Sequence, residues 1–99
     1  MAAPDAIQAA PDVYRVVLEN DTVRVLEVRL APGSSSALHA HPHYVIYNLD
    51  DGKVEFTSAT GETVQLDLKA GEAMWRDAEE HGATNLGSKD LRAVLVELK

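Results

Sequence analysis

The stretch "PGSSSALHAHPHYVIYNLDDG" covers residues 32–52 and contains three of the four histidines in the chain. His39, His41 and His43 stand at every second position. Side chains two residues apart in an extended strand point to the same face. His39 and His41 therefore present two imidazoles side by side, and neutral imidazole is the commonest metal ligand among side chains. A His-x-His pair also occurs on solvated surfaces, so the pair alone does not establish a metal site, and the spacing of the surrounding residues is needed as well.

That spacing is regular on both sides of the pair. Five residues separate Gly33 from His39, three separate His41 from position 45, and six more lead to Gly52. Further along, three residues separate His81 from Asn85. The pattern resembles the two motifs of the cupin family, Gly-x5-His-x-His-x3/4-Glu-x6-Gly and a second motif that ends in His-x3-Asn.

The chain is also similar to a narrower group of small single-domain cupins, whose members include proteins named for β-alanine degradation. The stretches that carry this similarity are "YRVVLENDTVRVLEVRLAPG", "HPHYVIY", "AGEAMWR" and "LVELK". The second motif departs from the family at Arg76, where Pro is usual, and at Ala78, where Gly is usual. Gly71 is one residue away from the expected glycine.

The resemblance implies one divalent transition metal held by His39, His41 and His81. The family usually places a glutamate ligand at position 45, where this chain has Val45. Three neutral imidazoles leave the charge of the ion uncompensated, which favours a small anionic, oxygen-rich ligand. Three protein ligands also leave open coordination positions, as in catalytic sites. Fe, Mn, Ni, Cu and Zn all accept imidazole, so the metal stays unidentified.

Further residues are candidates for the same site. His43 and Glu79 are each either an additional ligand, a hydrogen-bond partner of a ligand, or a surface group. Val45 and Tyr47 share the parity of His39 and should face the same interior, where the Tyr47 hydroxyl could orient substrate or donate a proton. Trp75, before His81, is a candidate for the pocket wall or the core.

Composition excludes several functions. The chain has 99 residues, a net charge of −7 and no cysteine. An acidic chain is unsuited to nucleic acid, whose binding requires neutralisation of phosphates, and to anionic membrane surfaces. Without cysteine there is no disulfide framework and no thiolate ligand. The start of the chain shows no targeting pattern, which predicts a cytoplasmic protein.

Alternating apolar and polar residues between Gly, Asn and Asp turns predict eight to nine short strands. The fold class is therefore all-β, and the resemblance implies a cupin-type antiparallel β-barrel or jelly roll. A phase slip near Val25 and Leu26 suggests either a bulge or a strand with two apolar faces. We expect a flexible N-terminal arm over residues 1–12, with one short helical turn, and a single cupin domain over residues 13–99. The clearest strands are predicted at 13–19, 22–30, 43–49, 53–59, 62–68, 72–76 and 91–98.

Two functional classes follow from these features. The favoured one is a metal-dependent enzyme, dioxygenase-like or hydroxide-generating, that acts on a small anionic metabolite. The alternative is a non-catalytic cupin that binds a metal or metabolite, since no clear acid-base residue accompanies the histidines. Exposed edge strands, which pairing between subunits would cover, predict a homodimer.

Overall fold

The computed structural model describes residues 3–99, which form nine strands and one short helix, α1 (Ala6–Ala9). No helix in this part of the chain is long and apolar enough to cross a membrane. The strands are β1 (Tyr14–Glu19), β2 (Val23–Leu30), β3 (Ser35–His41), β4 (Tyr44–Asn48), β5 (Gly52–Ser58), β6 (Thr63–Leu68), β7 (Ala73–Arg76), β8 (Glu79–Asn85) and β9 (Leu91–Leu98).

The strands form two sheets, and every ladder between them is antiparallel. One sheet has the order β1-β2-β9-β4-β7, and the other has the order β3-β8-β5-β6. The predicted all-β jelly roll is therefore confirmed. The structure adds β3, which begins at Ser35, and β8, which ends at Asn85, to the strands that the sequence predicted most clearly. Both additions belong to the sheet that carries the histidines.

The core lies between the sheets because alternate residues of each strand point inward. On β9, Leu91, Ala93 and Leu95 are buried, and their neighbours face outward. One cluster gathers around Leu26 and another around Phe56. The space between the inward faces is the region into which the site residues project.

The turn at Pro42 and His43 changes which residues face the core. On β3 the odd-numbered His39 and His41 are buried, whereas on β4 the even-numbered Tyr44 and Ile46 are buried. The parity prediction from His39 onward assumed one continuous strand. It fails after residue 42 because β3 ends at His41 and β4 starts in the other sheet.

The predicted bulge is present, but it lies on the neighbouring strand. Pairing between β1 and β2 passes from Val16 opposite Leu26 to Leu18 opposite Val25, so Val17 is the extra residue. The pairing of β2 with β9 is uninterrupted at Val25 and Leu26. The phase slip that the sequence shows in β2 therefore coincides with a bulge in β1.

The described part of the predicted N-terminal arm packs on the barrel; residues 1 and 2 of that arm lie outside the described residues. Ala6 is completely buried, and Ala10 is nearly so. The backbone N–H of Ala40 donates to the carbonyl of Pro4 at 2.8 Å, and Asp5 is ion-paired with Arg24. Small apolar side chains let this segment lie close to β3, so it contributes to the core instead of extending from it.

Asn85, at the end of β8, ties three backbone segments together and is 1% exposed. Its Nδ2 donates to the carbonyls of Leu30, at 3.0 Å, and Lys89, at 2.8 Å. Its Oδ1 accepts the N–H of Gly87 at 2.8 Å. A carboxylate of the same shape could replace the acceptor but neither donor.

We expect Asn85→Asp to lower the free energy of unfolding by about 2–4 kcal/mol, because a buried carboxylate would face two carbonyl oxygens. Urea denaturation measures the loss. Asn20→Asp is the matched control, since the exposed Asn20 only accepts, from the N–H groups of Thr22 and Val23. Equal stability of the two variants would contradict this role of Asn85.

Candidate metal centre

The pairing of β3 with β8 brings three histidines together. His39 lies directly opposite His81, and His41 follows two residues later on the same face of β3. Each of the three offers a ring nitrogen, and these atoms all lie within 4.8 Å of one another. All three side chains are buried. Such a cluster of imidazole nitrogens has the size and composition of a metal site.

Both ring nitrogens of His39 have partners. Its Nδ1 lies 2.7 Å from the carbonyl of Ala37, to which only a protonated nitrogen can donate. Its Nε2 is therefore the unprotonated nitrogen, and the Tyr14 hydroxyl donates to it at 3.0 Å. The lone pair that a metal would use thus points toward the Tyr14 hydroxyl, a buried polar group at the edge of the cluster.

His41 is held by a buried carboxylate. Its Nδ1 donates to Glu97 at 2.6 Å, and Glu97 is only 2% exposed. Arg24 Nε donates to the other oxygen of Glu97 at 2.8 Å, and Arg24 also pairs with Asp5. A carboxylate behind a histidine fixes the ring and raises its basicity as a ligand. His41 Nε2 is buried and has no hydrogen-bond partner among residues 3–99.

His81 is fixed by stacking and by a nearby carboxylate. Its ring lies parallel to the Phe56 ring, with centroids 4.3 Å apart. Its Nδ1 lies 3.4 Å from Glu79 and has no hydrogen bond within the described part of the chain. Glu79 itself accepts from Arg76 at 2.7 and 2.8 Å and from the Tyr44 hydroxyl at 2.7 Å.

Burial controls the protonation of these groups. It lowers the pKa of His39 to about 4 and also lowers the pKa of His81, although Glu79 opposes the second effect. Burial raises the pKa of Glu79, but hydrogen bonds from Arg76 and Tyr44 and the nearby His81 ring outweigh it and hold that pKa well below its usual range. His39 and His81 are therefore neutral at pH 7, as metal ligands must be.

A cavity of about 50 Å³ adjoins the cluster. Its polar wall is formed by His41, His81 and the hydroxyl-bearing Tyr14 and Tyr44. The remaining wall is aliphatic or aromatic, apart from Arg92, whose guanidinium is paired with Asp50. His41 and Glu79 also border an open surface depression. The histidines thus lie between this depression and an apolar interior.

The donor set fits a metal ion. The unpaired, buried Nε2 of His41 and Nδ1 of His81 are polar atoms that ordinarily require a partner. The Nδ1 of His41 is engaged by Glu97, as in many carboxylate–histidine–metal arrangements. A three-nitrogen set without thiolate suits Fe, Mn, Ni, Cu or Zn.

Several sequence candidates lie elsewhere. Val45, Tyr47 and Trp75 are on the outer face of the five-stranded sheet, where Val45 pairs with Trp75, so none of them lines the cavity. Tyr47 is 45% exposed and Trp75 is 54% exposed. The interior prediction for Val45 and Tyr47 is wrong because the turn at Pro42 and His43 reverses the alternation, and Trp75 lies on the outer face because it pairs with Val45.

The two candidate additional ligands also have other contacts. The exposed His43 stacks on Trp75, with ring centroids 5.7 Å apart, and its Nδ1 accepts the N–H of Ala78, so it is not part of the cluster. Glu79 does approach His81, but Arg76 and Tyr44 occupy its oxygens. Glu79 therefore lies next to His81 but is not part of the histidine cluster.

Sequence reasoning missed Tyr14, Tyr44 and Glu97. A usable pattern existed for Glu97, since the inward series Leu91, Ala93 and Leu95 continues to it on β9. Tyr14 and Tyr44 give no such signal, because their approach to the histidines depends on how strands from opposite sheets face each other.

Comparison with known proteins agrees with this geometry. Residues 26–97 match the Cupin domain family. The chain belongs to the cupin family. It is 35% identical to the β-alanine degradation protein BauB of Pseudomonas aeruginosa, over 93% of this chain and 95% of that protein.

Two solved structures show the same fold. A cupin domain from Bordetella pertussis Tohama I superposes with a TM-score of 0.81 at 27% identity, covering 100% of this chain and 98% of that one. A conserved protein with a double-stranded β-helix domain from Klebsiella pneumoniae has a TM-score of 0.69 at 28% identity, covering 87% of this chain and 75% of that one.

The lowered histidine pKa values predict a pH-dependent stability of the metal-free cupin. Between pH 6.5 and about 4 the unfolded chain binds a proton that folded His39 does not, so the free energy of unfolding falls as the pH falls. One ring contributes roughly 3 kcal/mol across that window, and His81 acts in the same direction. Urea denaturation between pH 7 and 4.5 measures the slope.

The exposed histidine supplies the control for this experiment. His43→Gln keeps the slope, because it leaves the three buried rings in place. Carboxylates add little to the slope above pH 4.5, since Glu79 and Asp5 lose most of their stabilisation below their ordinary pKa values of 4.5 and 3.8. A flat wild-type stability between pH 6.5 and 4.5 would rule out neutral buried imidazoles.

Proposed function

We propose that this cupin is a metal-dependent enzyme, dioxygenase-like in its chemistry, that acts on a small anionic, oxygen-rich metabolite. The observation that carries the proposal is the buried cluster of His39, His41 and His81, with ligand atoms within 4.8 Å of one another. A structural metal site is usually closed by four protein ligands, whereas three leave positions for substrate.

Two of the histidines have one ring nitrogen engaged by a neighbour and would hold the metal through the other. Glu97 engages His41 Nδ1, so His41 would bind through Nε2. Ala37 engages His39 Nδ1, so His39 would bind through Nε2, where the metal would take the place of the Tyr14 hydroxyl. When bound, an iron ion supplies activation of dioxygen, whereas a zinc ion supplies acidification of water. The choice between these chemistries depends on the metal, which the donor set leaves open among Fe, Mn, Ni, Cu and Zn.

The surrounding charges favour a ligand with one negative charge. Glu97 and Asp5 carry two negative charges against the single positive charge of Arg24, and Glu79 is matched by Arg76. A divalent ion on three neutral rings then leaves this region with a net charge of about +1, which is costly in a buried site. A carboxylate or an enolate would bring that charge to zero.

Two tyrosines replace Tyr47 as candidates for proton handling. The Tyr14 hydroxyl is directed at His39 Nε2, so it lies beside any group bound there. The Tyr44 hydroxyl donates to Glu79, which borders the open depression. Burial raises the pKa of both tyrosines well above the usual range, so both hydroxyls keep their protons and act as donors.

A non-catalytic cupin that binds a metal or metabolite is the second candidate. One observation favours it: the two carboxylates nearest the histidines, Glu79 and Glu97, are both held in ion pairs with arginines. Neither is free to act as a general base, which must exchange a proton with substrate. This candidate shares the histidine cluster and differs only in turnover.

Metal content per chain is the first test. We expect close to one equivalent of a single transition metal in untagged protein purified without chelator, measured by elemental mass spectrometry. His81→Ala should reduce it to trace levels, because two imidazoles hold a divalent ion weakly. His43→Ala is the matched control and should retain the metal, since His43 lies outside the cluster. Equal traces in all three proteins would refute the metal site.

Oxygen consumption then separates the enzyme from the binder. Iron-loaded protein is offered diketones, hydroxy acids and thiols, and the name of the P. aeruginosa relative adds β-alanine and short acids to the panel. Uptake by wild type and His43→Ala, but not by His81→Ala, supports the enzyme. Stoichiometric metal without turnover of any compound favours the binding cupin.

The cytoplasmic location expected from the sequence stays a prediction.

We also infer that two copies of the chain form a homodimer. A continuous apolar row crosses the outer face of the five-stranded sheet, through Leu18, Val25, Val96, Val45 and Trp75. The row spans roughly 19 Å, and Leu18 and Trp75 at its ends are more than half exposed. A second copy laid on this row would remove both ends from water.

Trp75→Lys should weaken this dimer at least tenfold, because a lysine would place a charge in an apolar interface. Light scattering after gel filtration, over a range of concentrations, gives the mass. Val64→Lys changes an exposed valine on β6 of the other sheet and should leave the mass unchanged. A wild-type protein that is monomeric at all concentrations overturns the dimer.

A further inference from the structure

We infer that the ligand of this site is a short aliphatic monocarboxylate or oxo acid without an amino group, with its oxygens at the histidines and its tail in the apolar cavity. The inference rests on the proposed function for the position of the head group. The juxtaposition that carries it is a polar wall of His41, His81, Tyr14 and Tyr44 at one end of a cavity whose remaining wall is apolar except for Arg92, which is paired with Asp50.

The histidines and tyrosines of the cavity wall lie at one end of the barrel, and Arg92, at the other end, directs its guanidinium to Asp50. His41 contacts Glu97 near the end of β9, whereas Leu91 starts that strand and lines the other end of the cavity. Leu30 is paired with Leu91, and Val54 and Leu68 also lie in that wall. Residues on one strand four positions apart, such as Leu91 and Leu95, are separated by roughly 13 Å, so the cavity has length as well as polarity.

The size of the cavity limits the ligand. A volume of about 50 Å³ accommodates about four water-sized groups. An acid whose head group lies among the histidines can therefore extend a tail of roughly three carbons toward Leu30 and Leu91. Larger metabolites, such as sugars or nucleotides, do not fit this space.

The cavity wall offers nothing to an ammonium group. No Asp or Glu lines the cavity along residues 3–99. The two nearby carboxylates are already engaged, Glu79 by Arg76 and Tyr44 and Glu97 by Arg24 and His41. A buried ammonium without a carboxylate partner is strongly disfavoured. An amino acid with a terminal amine would place its charge against Leu, Val and Phe side chains.

Butanoate and β-alanine form a matched pair of probes, because an ammonium in β-alanine replaces the terminal methyl of butanoate. Calorimetry on Ni²⁺-loaded wild-type protein measures both affinities. We expect butanoate to bind at least tenfold more tightly than β-alanine. Equal affinity, or tighter binding of β-alanine, overturns the inference.

A chain-length series tests the tail independently. From acetate to butanoate we expect the affinity to rise about fourfold with each methylene, the gain for burying one such group. Octanoate should bind more weakly than butanoate, because its tail exceeds the cavity. An affinity that is independent of chain length would show that the tail stays in water and would overturn the inference.

A variant that fills the cavity completes the test. Ala93→Leu enlarges a buried side chain of the cavity wall and should abolish the preference for butanoate over acetate while the metal content stays the same. Ala73→Leu makes the same change at an exposed position of β7 and should keep the preference. If Ala93→Leu does not fold, the comparison of butanoate with β-alanine and the chain-length series, both in wild type, still test the position of the tail.

Failure of the proposed function is recognised separately. The metal content of each sample is measured before calorimetry, and the acids are also titrated into metal-free protein. Protein without bound metal counts against the metal site alone. A missing butanoate preference, in either metal state, counts against the inference about the tail.

Discussion

The antiparallel pairing of β3 with β8 is the constraint on which the site depends. It sets His39 opposite His81 and aligns His41 with Glu79, so three imidazoles and one carboxylate meet without any loop. A slip of one residue in this pairing would turn the rings of one strand to the outside. Gly82, next to His81, allows the approach, since a Cβ there would lie 2.9 Å from the carbonyl of Ser36.

The charged groups surround the histidines in two steps, with carboxylates next to the rings and arginines beyond the carboxylates. The imidazoles are buried, and the carboxylates of Glu97 and Glu79 lie immediately behind them. Arg24 and Arg76 then hold those carboxylates. Within residues 3–99, no carboxylate joins the histidine cluster in place of the glutamate that the family usually carries at position 45. The negative charge of Glu97 instead reaches the cluster through the ring of His41.

The N-terminal segment is part of the same arrangement. Asp5 binds the guanidinium of Arg24, which binds Glu97, which binds His41. Four residues from four separate parts of the chain therefore form one hydrogen-bonded line from the surface to the histidines. Packing of Ala6 against the core holds the first of them in place. The orientation of His41 thus depends on a segment that carries no site residue of its own.

The sequence alone determined the fold class, most strand positions and the three histidines, because alternation and motif spacing are local properties of the chain. Tertiary structure decided which face of β4 points into the core. Tyr44 and Ile46 point inward, and not Val45 and Tyr47 as the alternation predicted. Tertiary structure also decided that Tyr14 and Glu97 reach the histidines. Both outcomes depend on a turn that moves the chain from one sheet to the other and on pairing between distant strands, which local alternation does not encode.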